Sequence, residues 1–373
     1  MVATEVRAGL ELEVERLDVS AYTIPTDEPE SDGTLEWDST TIVVVEAHAG
    51  GATGLGYTYT DAAAAQLIRS KLVDVVVGRV LAEIPALWRS MSGALRNVGR
   101  PGLGFMALSS VDVALWDLKA RVLERPLVDV LGRAHDAVPV YGSGGFTSYS
   151  LERLAEQLRG WVEQGIPRVK IKVGREPDRD RDRLTAARRA IGDETELYVD
   201  ANGAFTEQEA CSWAHVYDSE FDVRWFEEPV SSDDLEALRR LRDAVPPRIE
   251  IAAGEYGDTS VYFRRMLEAE AVHCLQADVT RCGGITGLLT VGALSESFGI
   301  DLSAHCAPAI STHAFCAVPR LRHLEYFHDH VRLEQLLFDG VVELDDGVLR
   351  PDRSRPGLGL ELKRADAERY AVR

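Results

Sequence analysis

Apolar residues in the second half of this chain fall into short runs separated by longer stretches of helical period. From residue 138 the runs recur at 138–142, 168–173, 196–199, 223–226, 249–252, 272–276, 300–304 and 322–326. Amphipathic stretches lie between most of them, at 150–164, 178–191, 206–218, 232–244, 258–269 and 285–298. Strand–helix alternation predicts a parallel sheet, because a chain needs a crossover to re-enter such a sheet in the same direction. Eight strands in succession favour closure into a barrel over an open doubly wound sheet.

The first 135 residues have a different rhythm and predict a mixed α+β unit. Residues 11–19 alternate, 41–48 form a β-branched run, and 50–59 read as a Gly-rich turn into a further strand. Helical patterns follow at 61–77, 80–92 and 104–123. Residues 22–37, with Pro25, Pro29 and Gly33, show no period and are expected to form a long surface loop, the kind that serves as a lid or stays disordered. The tail at 341–362 is turn-rich, including Pro356-Gly357-Leu358-Gly359, and is expected to pack back on the first unit.

Composition narrows the function class. The chain has 373 residues, 45% of them hydrophobic and 27% charged, enough for one large α/β domain and a smaller one. A net charge of −20 argues against a nucleic-acid partner, since no basic surface is available to displace counterions from phosphates. An anionic small molecule stays possible, because a metal and a few lysines control the local field. The five cysteines include no CxxC pair and are odd in number, which argues against a disulfide framework. Residues 1–17 are acidic where a signal peptide carries its apolar core, and no apolar stretch is long enough to span a bilayer. The expectation is a cytoplasmic protein with no membrane partner.

The candidate chemistry sits at the C-terminal ends of the barrel strands, where barrel active sites are built. In Val169-Lys170-Ile171-Lys172-Val173 the period of two turns both lysines to one face, and on a closed barrel that face is the interior. The plainer alternative, a surface strand with solvated lysines, requires an edge strand. A lysine inside a barrel and near a metal is expected to have a depressed pKa and to be able to act as a base. Asp200, Glu227 and Glu255 each follow a strand. Asp200 alone would be read as a helix N-cap, but three carboxylates on consecutive strand ends repel one another unless a cation lies between them. Hard oxygen donors with open positions suit Mg²⁺. Glu228 alternates away from Glu227 and reads as a supporting carboxylate. Asp278 and His305 end adjacent strands, so the carboxylate can fix one imidazole nitrogen and leave the other as acid or base. Glu325 ends the last strand.

Together these residues resemble the enolase superfamily, specifically its mandelate racemase-like subgroup. The resemblance covers nearly the whole chain: Lys170-x-Lys172, the Asp200/Glu227/Glu255 trio, the Asp278–His305 pair and Glu325 match in order and spacing. It implies an α+β capping domain over residues 1–135, a modified (β/α)7β TIM barrel over 136–330, and a segment over 331–373 that returns to the cap. It further implies that Mg²⁺ chelates a substrate carboxylate, that a base removes the adjacent proton, and that an enediolate is stabilised. By position, Lys172 would be one base with Lys170 beside it, and His305 held by Asp278 would serve the opposite face. Glu325 would be protonated and donate to the enolate, Ser143 would touch the substrate carboxylate, and Asn202 would sit near the metal or a hydroxyl. Members commonly form symmetric homo-oligomers, and the same is expected here.

Departures from the family pattern are informative. Arg281 stands where the muconate cycloisomerase and dipeptide epimerase subgroups place a lysine base. Gly144 replaces a bulkier polar residue of mandelate racemase, and the acidic 21–37 segment does not suit an aromatic ring, so mandelate is disfavoured. The resulting expectation is dehydration of an acid sugar to a 2-keto-3-deoxy acid, a step of carbohydrate acid catabolism. The alternative is a racemase or epimerase of a 2-hydroxy acid. A binding protein on the same barrel is disfavoured, because it need not retain the full set of ligands and bases. Specificity is expected to reside at 20–37 and 50–59, and Arg96 or Arg100 would be the candidates for gripping a second carboxylate.

Overall fold

The computed structural model describes residues 11–372; the reading of residues 1–10 lies outside them. Eight parallel strands form the centre: β4 (Val138–Gly144), β5 (Arg168–Lys172), β6 (Glu196–Asp200), β7 (Val223–Glu227), β8 (Glu250–Ala253), β9 (Cys274–Ala277), β10 (Asp301–Ala304) and β11 (Leu321–Phe327). Each pairs with its sequence neighbours, and β11 returns onto β4 through Leu324 opposite Val140 and Phe327 opposite Ser143. The sheet is therefore a closed barrel. Helices such as Leu151–Glu163, Pro177–Ile191 and Glu207–Phe221 cover its outside. Ile171, Val199 and Phe226, the outward members of their strands, are buried beneath these helices.

The cap begins with β1 (Arg16–Ser31), β2 (Glu36–Ala49) and β3 (Ala52–Tyr59), an antiparallel sheet in that order. Here the structure corrects the sequence reading: residues 22–37 are a hairpin, not a loop. Pro25 is tolerated because β1 is an edge strand, and a register shift between Pro25 and Glu30 takes up the intervening acidic residues. The tip rests on the barrel, where Thr147 N donates to Ser31 O (2.8 Å) and Thr147 Oγ1 to Asp32 O (3.0 Å). Gly33 at the tip lies so near the strand ends that a Cβ would meet Ala201 O at 2.2 Å. The 50–59 stretch is also mostly strand, so only its end reaches the barrel mouth.

The helix Leu103–Val122 packs across this sheet and links three parts of the chain through fully buried Asp117. Its carboxylate accepts from Leu55 N (2.7 Å), Arg121 Nε (2.8 Å) and Leu358 N (2.5 Å). Leu358 belongs to the tail, which also places Gly357 O on Leu127 N (2.7 Å). Val348–Leu349 of the tail instead pairs with the start of β4. The tail thus contacts both the cap and the base of the barrel. The five cysteines are free, and among the described residues no helix is long and apolar enough to cross a membrane.

Candidate active site

Every barrel strand delivers one part of the site at its C-terminal end. Register fixes their heights: Ser143 lies opposite Lys170, Lys172 opposite Asp200, and Asp200 opposite Glu227. Asp200, Glu227 and Glu255 are buried, and one ligand oxygen from each lies within 4.8 Å of the others. Gly254 makes the fifth position possible, since its φ of +134° and the 2.2 Å approach of Gln276 O to a would-be Cβ leave room for no other residue.

The two lysines do point into the barrel, but as counter-ions. Lys170 Nζ, fully buried, donates to Glu227 Oε1 (2.6 Å) and lies 2.8 Å from Glu325 Oε1 and 3.3 Å from Asp200 Oδ2. Lys172 Nζ donates to Asp200 Oδ2 (2.5 Å). Burial favours the neutral amine in both, yet Glu227 and Glu325 around Lys170, and Asp200 beside Lys172, outweigh it and raise both pKa values. For both lysines the contacting carboxylates, not burial, decide the sign. For Asp200, burial is likewise overridden by Lys172 and Lys170, which hold the carboxyl below its usual range. For Glu227, burial and the Asp200 charge prevail and push it up to about 8.

Asp278 and His305 form the expected pair, with Nδ1 and Asp278 Oδ2 2.8 Å apart. Thr280 N and Oγ1 each donate to Asp278 Oδ1 at 2.7 Å, which fixes the carboxylate plane. His305 Nε2 lies 3.3 Å from both Glu255 Oε2 and Glu325 Oε2. Burial disfavours the imidazolium, but Glu255, Glu325 and the bond to Asp278 raise its pKa overall.

Glu325 departs from the resemblance. Burial would protonate it, but Lys170, His305 and Lys172 hold it ionised, well below the usual carboxylate range. In this arrangement it accepts hydrogen bonds, from Ser143 Oγ (2.6 Å) and Cys306 Sγ (3.2 Å). Ser143, expected at the substrate carboxylate, is fully buried against Glu325 and does not line the cavity. Asn202 does line it, with a buried Oδ1 that lacks a hydrogen-bond partner and a backbone N bonded to Asp200 Oδ1 (2.9 Å).

Above these residues opens a cavity of about 700 Å³, the size of a small-molecule site. Lys172, Glu255, His305 and Glu325 form its floor, while the cap closes it with Trp37, Thr40 and Asp32 from the hairpin and Tyr59 and Asp61 from the end of β3. The sequence reading missed Cys306 and Tyr256 among the lining residues; neither stands in a motif. The φ of +52° at Cys306 is visible only in the fold.

The trio fits a hard divalent cation. Its donors are all carboxylate oxygens, with no sulfur or imidazole among them, and Glu255 Oε2 is buried without a hydrogen-bond donor. Glu228, buried beside the trio with an unpartnered Oε1, is pushed well above the usual carboxylate range by burial and by the Glu255, Asp200 and Glu227 charges.

Comparison with known proteins agrees with this geometry. Residues 25–132 match the mandelate racemase/muconate lactonizing enzyme N-terminal domain, and 153–367 the enolase C-terminal domain-like family. A crystal structure of a mandelate racemase/muconate lactonizing enzyme-like protein from Rubrobacter xylanophilus superposes with a TM-score of 0.95 at 59% identity, covering 96% of this chain and 100% of that one. L-Talarate dehydratase from Polaromonas sp. JS666, complexed with Mg and L-glucarate, gives a TM-score of 0.87 at 29% identity, covering 97% and 98%. The 3,6-anhydro-α-L-galactonate cycloisomerase of Streptomyces coelicolor is 34% identical over 363 residues, 94% of this chain and 98% of that protein. With both domains matched and the barrel-end constellation intact, the chain belongs to the mandelate racemase/muconate lactonizing enzyme family of the enolase superfamily.

Proposed function

We propose that this enzyme removes the proton α to the carboxylate of an acid sugar and eliminates the β-hydroxyl, giving a 2-keto-3-deoxy acid, with Mg²⁺ held by Asp200, Glu227 and Glu255. The observation that carries the reading is that Lys172 and the Asp278-anchored His305 line one cavity beside an all-oxygen trio. When bound, the cation neutralises the trio, lowers the proton affinity of the neighbouring lysines and grips the substrate carboxylate as a Lewis acid.

Lys172 takes the α-proton. Lys170, fully buried below it, holds Glu227 and Glu325 in place and keeps positive charge beneath the developing enolate. Asp278 occupies His305 Nδ1, so Nε2 is the nitrogen left to protonate the departing hydroxyl. The Cα–H and Cβ–O bonds break, water leaves, and the resulting enol tautomerises to the 2-keto acid. The relatives named as a dehydratase and a cycloisomerase support chemistry at this carbon.

A second reading, racemisation or epimerisation of a 2-hydroxy acid, is favoured by one feature. Lys172 comes from the second barrel strand and His305 from the seventh, so a substrate between them can present one face to each. Incubation with Mg²⁺ and a panel of mono- and di-acid sugars in D₂O separates the two. Accumulation of 2-keto-3-deoxy product supports dehydration. Deuterium at Cα with inverted configuration and no keto product supports the second reading, and neither signal on any acid sugar would sink both.

A further inference from the structure

A sugar acid held by its α-carboxylate at the trio would extend toward the wall that the cap supplies. Beside Leu35 and Trp37 that wall carries hydroxyls and carboxylates: Ser39, Thr40 and Thr41 of β2, Thr60 and Asp61 just after β3, and Asp32 at the hairpin tip. Asp32 Oδ1 accepts from Thr34 N (2.6 Å) and Leu35 N (2.7 Å), and Asp61 Oδ1 from Ala63 N (2.7 Å). The Oδ2 of each has no hydrogen-bond partner among the described residues. A terminal carboxylate on the substrate would meet these like charges and would need an arginine or lysine to offset them.

Among the described residues that line the cavity, no arginine or lysine belongs to that wall. The cavity's Lys172, bonded to Asp200, and Arg281 stand with the carboxylates of the barrel mouth; Arg281 lies 3.5 Å from Glu255 Oε1 and 3.4 Å from Asp278 Oδ2, with its Nε free of a hydrogen-bond partner. His330 is stacked on Tyr59 with ring centroids 3.4 Å apart, and burial keeps it neutral. Arginines around the hairpin are already paired: Arg153 with Glu28, Arg175 with Glu36, Arg332 with Asp329. Arg96 and Arg100, the sequence candidates for a second carboxylate, do not line the cavity; Arg100 donates to Ser92 O and borders a separate cleft.

Resting on the acid-sugar reading above, we infer that the substrate is a monocarboxylate polyol, an aldonate or a close derivative, whose distal hydroxyls donate to Asp61 and Asp32, and that aldarates are rejected. A carboxylate acceptor rewards a hydroxyl donor and repels a second carboxylate, so the cap selects at the end of the substrate remote from the chemistry. This separates the chain from the relative solved with L-glucarate, a diacid.

An aldonate and the aldarate of the same skeleton differ only at the terminal carbon, CH₂OH against COO⁻. kcat/KM measured with Mg²⁺ for gluconate against glucarate, galactonate against galactarate, and the remaining C5 and C6 pairs therefore isolates the distal end. In whichever pair reacts, the aldonate is expected to lead by at least about tenfold. Asp61→Asn is expected to narrow that ratio by improving the aldarate. An aldarate equal to or better than its aldonate overturns the inference and leaves the acid-sugar reading standing. A ratio unmoved by Asp61→Asn overturns the role given to the cap carboxylate. Absence of both keto product and α-proton exchange in every pair overturns the acid-sugar reading, and this inference with it.

Discussion

Two layers inside the barrel, one step apart on the same strands, are chemically opposite. The lower layer holds Tyr141, Tyr198, Trp225 and His323, all buried, with Tyr198 stacked on Trp225 at 5.4 Å and Tyr141 edge-on to His323 at 4.7 Å. Two residues further along each strand stand Ser143, Asp200, Glu227 and Glu325. Residues i and i+2 share a face, so the interior changes from aromatic to charged over about 7 Å. The aromatic layer does two things for the one above. It excludes water from below, and it supplies specific contacts: Trp225 Nε1 donates to Glu227 Oε2 (2.8 Å), and Lys170 Nζ lies 5.3 Å from the Tyr141 ring centre. The comparison teaches that the charged layer, costly in itself, is tolerable because a packed apolar plug supports it.

If that division of labour is right, the two layers respond differently to mutation. The largest effect belongs to the upper one. Lys172→Ala and His305→Asn should each lower kcat by about 10²–10⁴-fold. Turnover near wild type in both variants would refute the assigned roles.

Trp225→Ala should cost about 3–5 kcal/mol of stability in urea unfolding, from lost burial and the cavity left behind. A loss below about 1 kcal/mol would mean that the lower layer is not the support it is taken for.

The third test uses pH. Burial, with Arg168, Arg322 and Lys170 acting in the same direction, holds the His323 pKa well below 6.5. The unfolded chain binds a proton there that the folded chain does not. The stabilisation is therefore complete above pH 6.5 and declines as pH falls below it, by up to about 1.4 kcal/mol per pH unit. His323→Phe should flatten that acid slope relative to wild type, and an identical slope in the two proteins would contradict it.

The smallest effect concerns the hairpin seat. Thr147→Val removes the side-chain bonds to Ser31 Oγ (2.6 Å) and Asp32 O (3.0 Å), each worth about 1 kcal/mol. KM should rise more than kcat falls, and steady-state kinetics would show the reverse if the seat served only chemistry.

The same contrast explains what the sequence disclosed. The eight strands and the trio were legible because each carboxylate ends an apolar run, and the period of two turned Lys170 and Lys172 inward. The hairpin was not legible. Pro25, Pro29 and the acidic residues around them erase any period, and pairing there depends on Ser31 and Gly33 meeting a barrel far away in sequence. The charge balance around Lys170, Lys172 and Glu325 was out of reach of the sequence for a related reason. Desolvation can be guessed from a single strand, but the 2.5–2.8 Å contacts that override it join different strands. The cation-poor distal wall likewise depended on where Arg96 and Arg100 finally lie.

The seam at which the last strand meets the first has a consequence for folding. Ser143 on β4 and Glu325 on β11 share a hydrogen bond across 182 positions of sequence, and Lys170 reaches Glu325 from the next strand over. No partial barrel contains this arrangement, since every strand supplies a member and the ring is complete only when its ends join. Bringing such distant segments together is entropically slow. In refolding, helical signal and compactness should therefore recover before turnover does, and regained activity becomes a clock for ring closure. A circular permutant opened in a loop at the base of the barrel would move the chain ends to another pair of strands. It should keep the chemistry while changing which junction closes last.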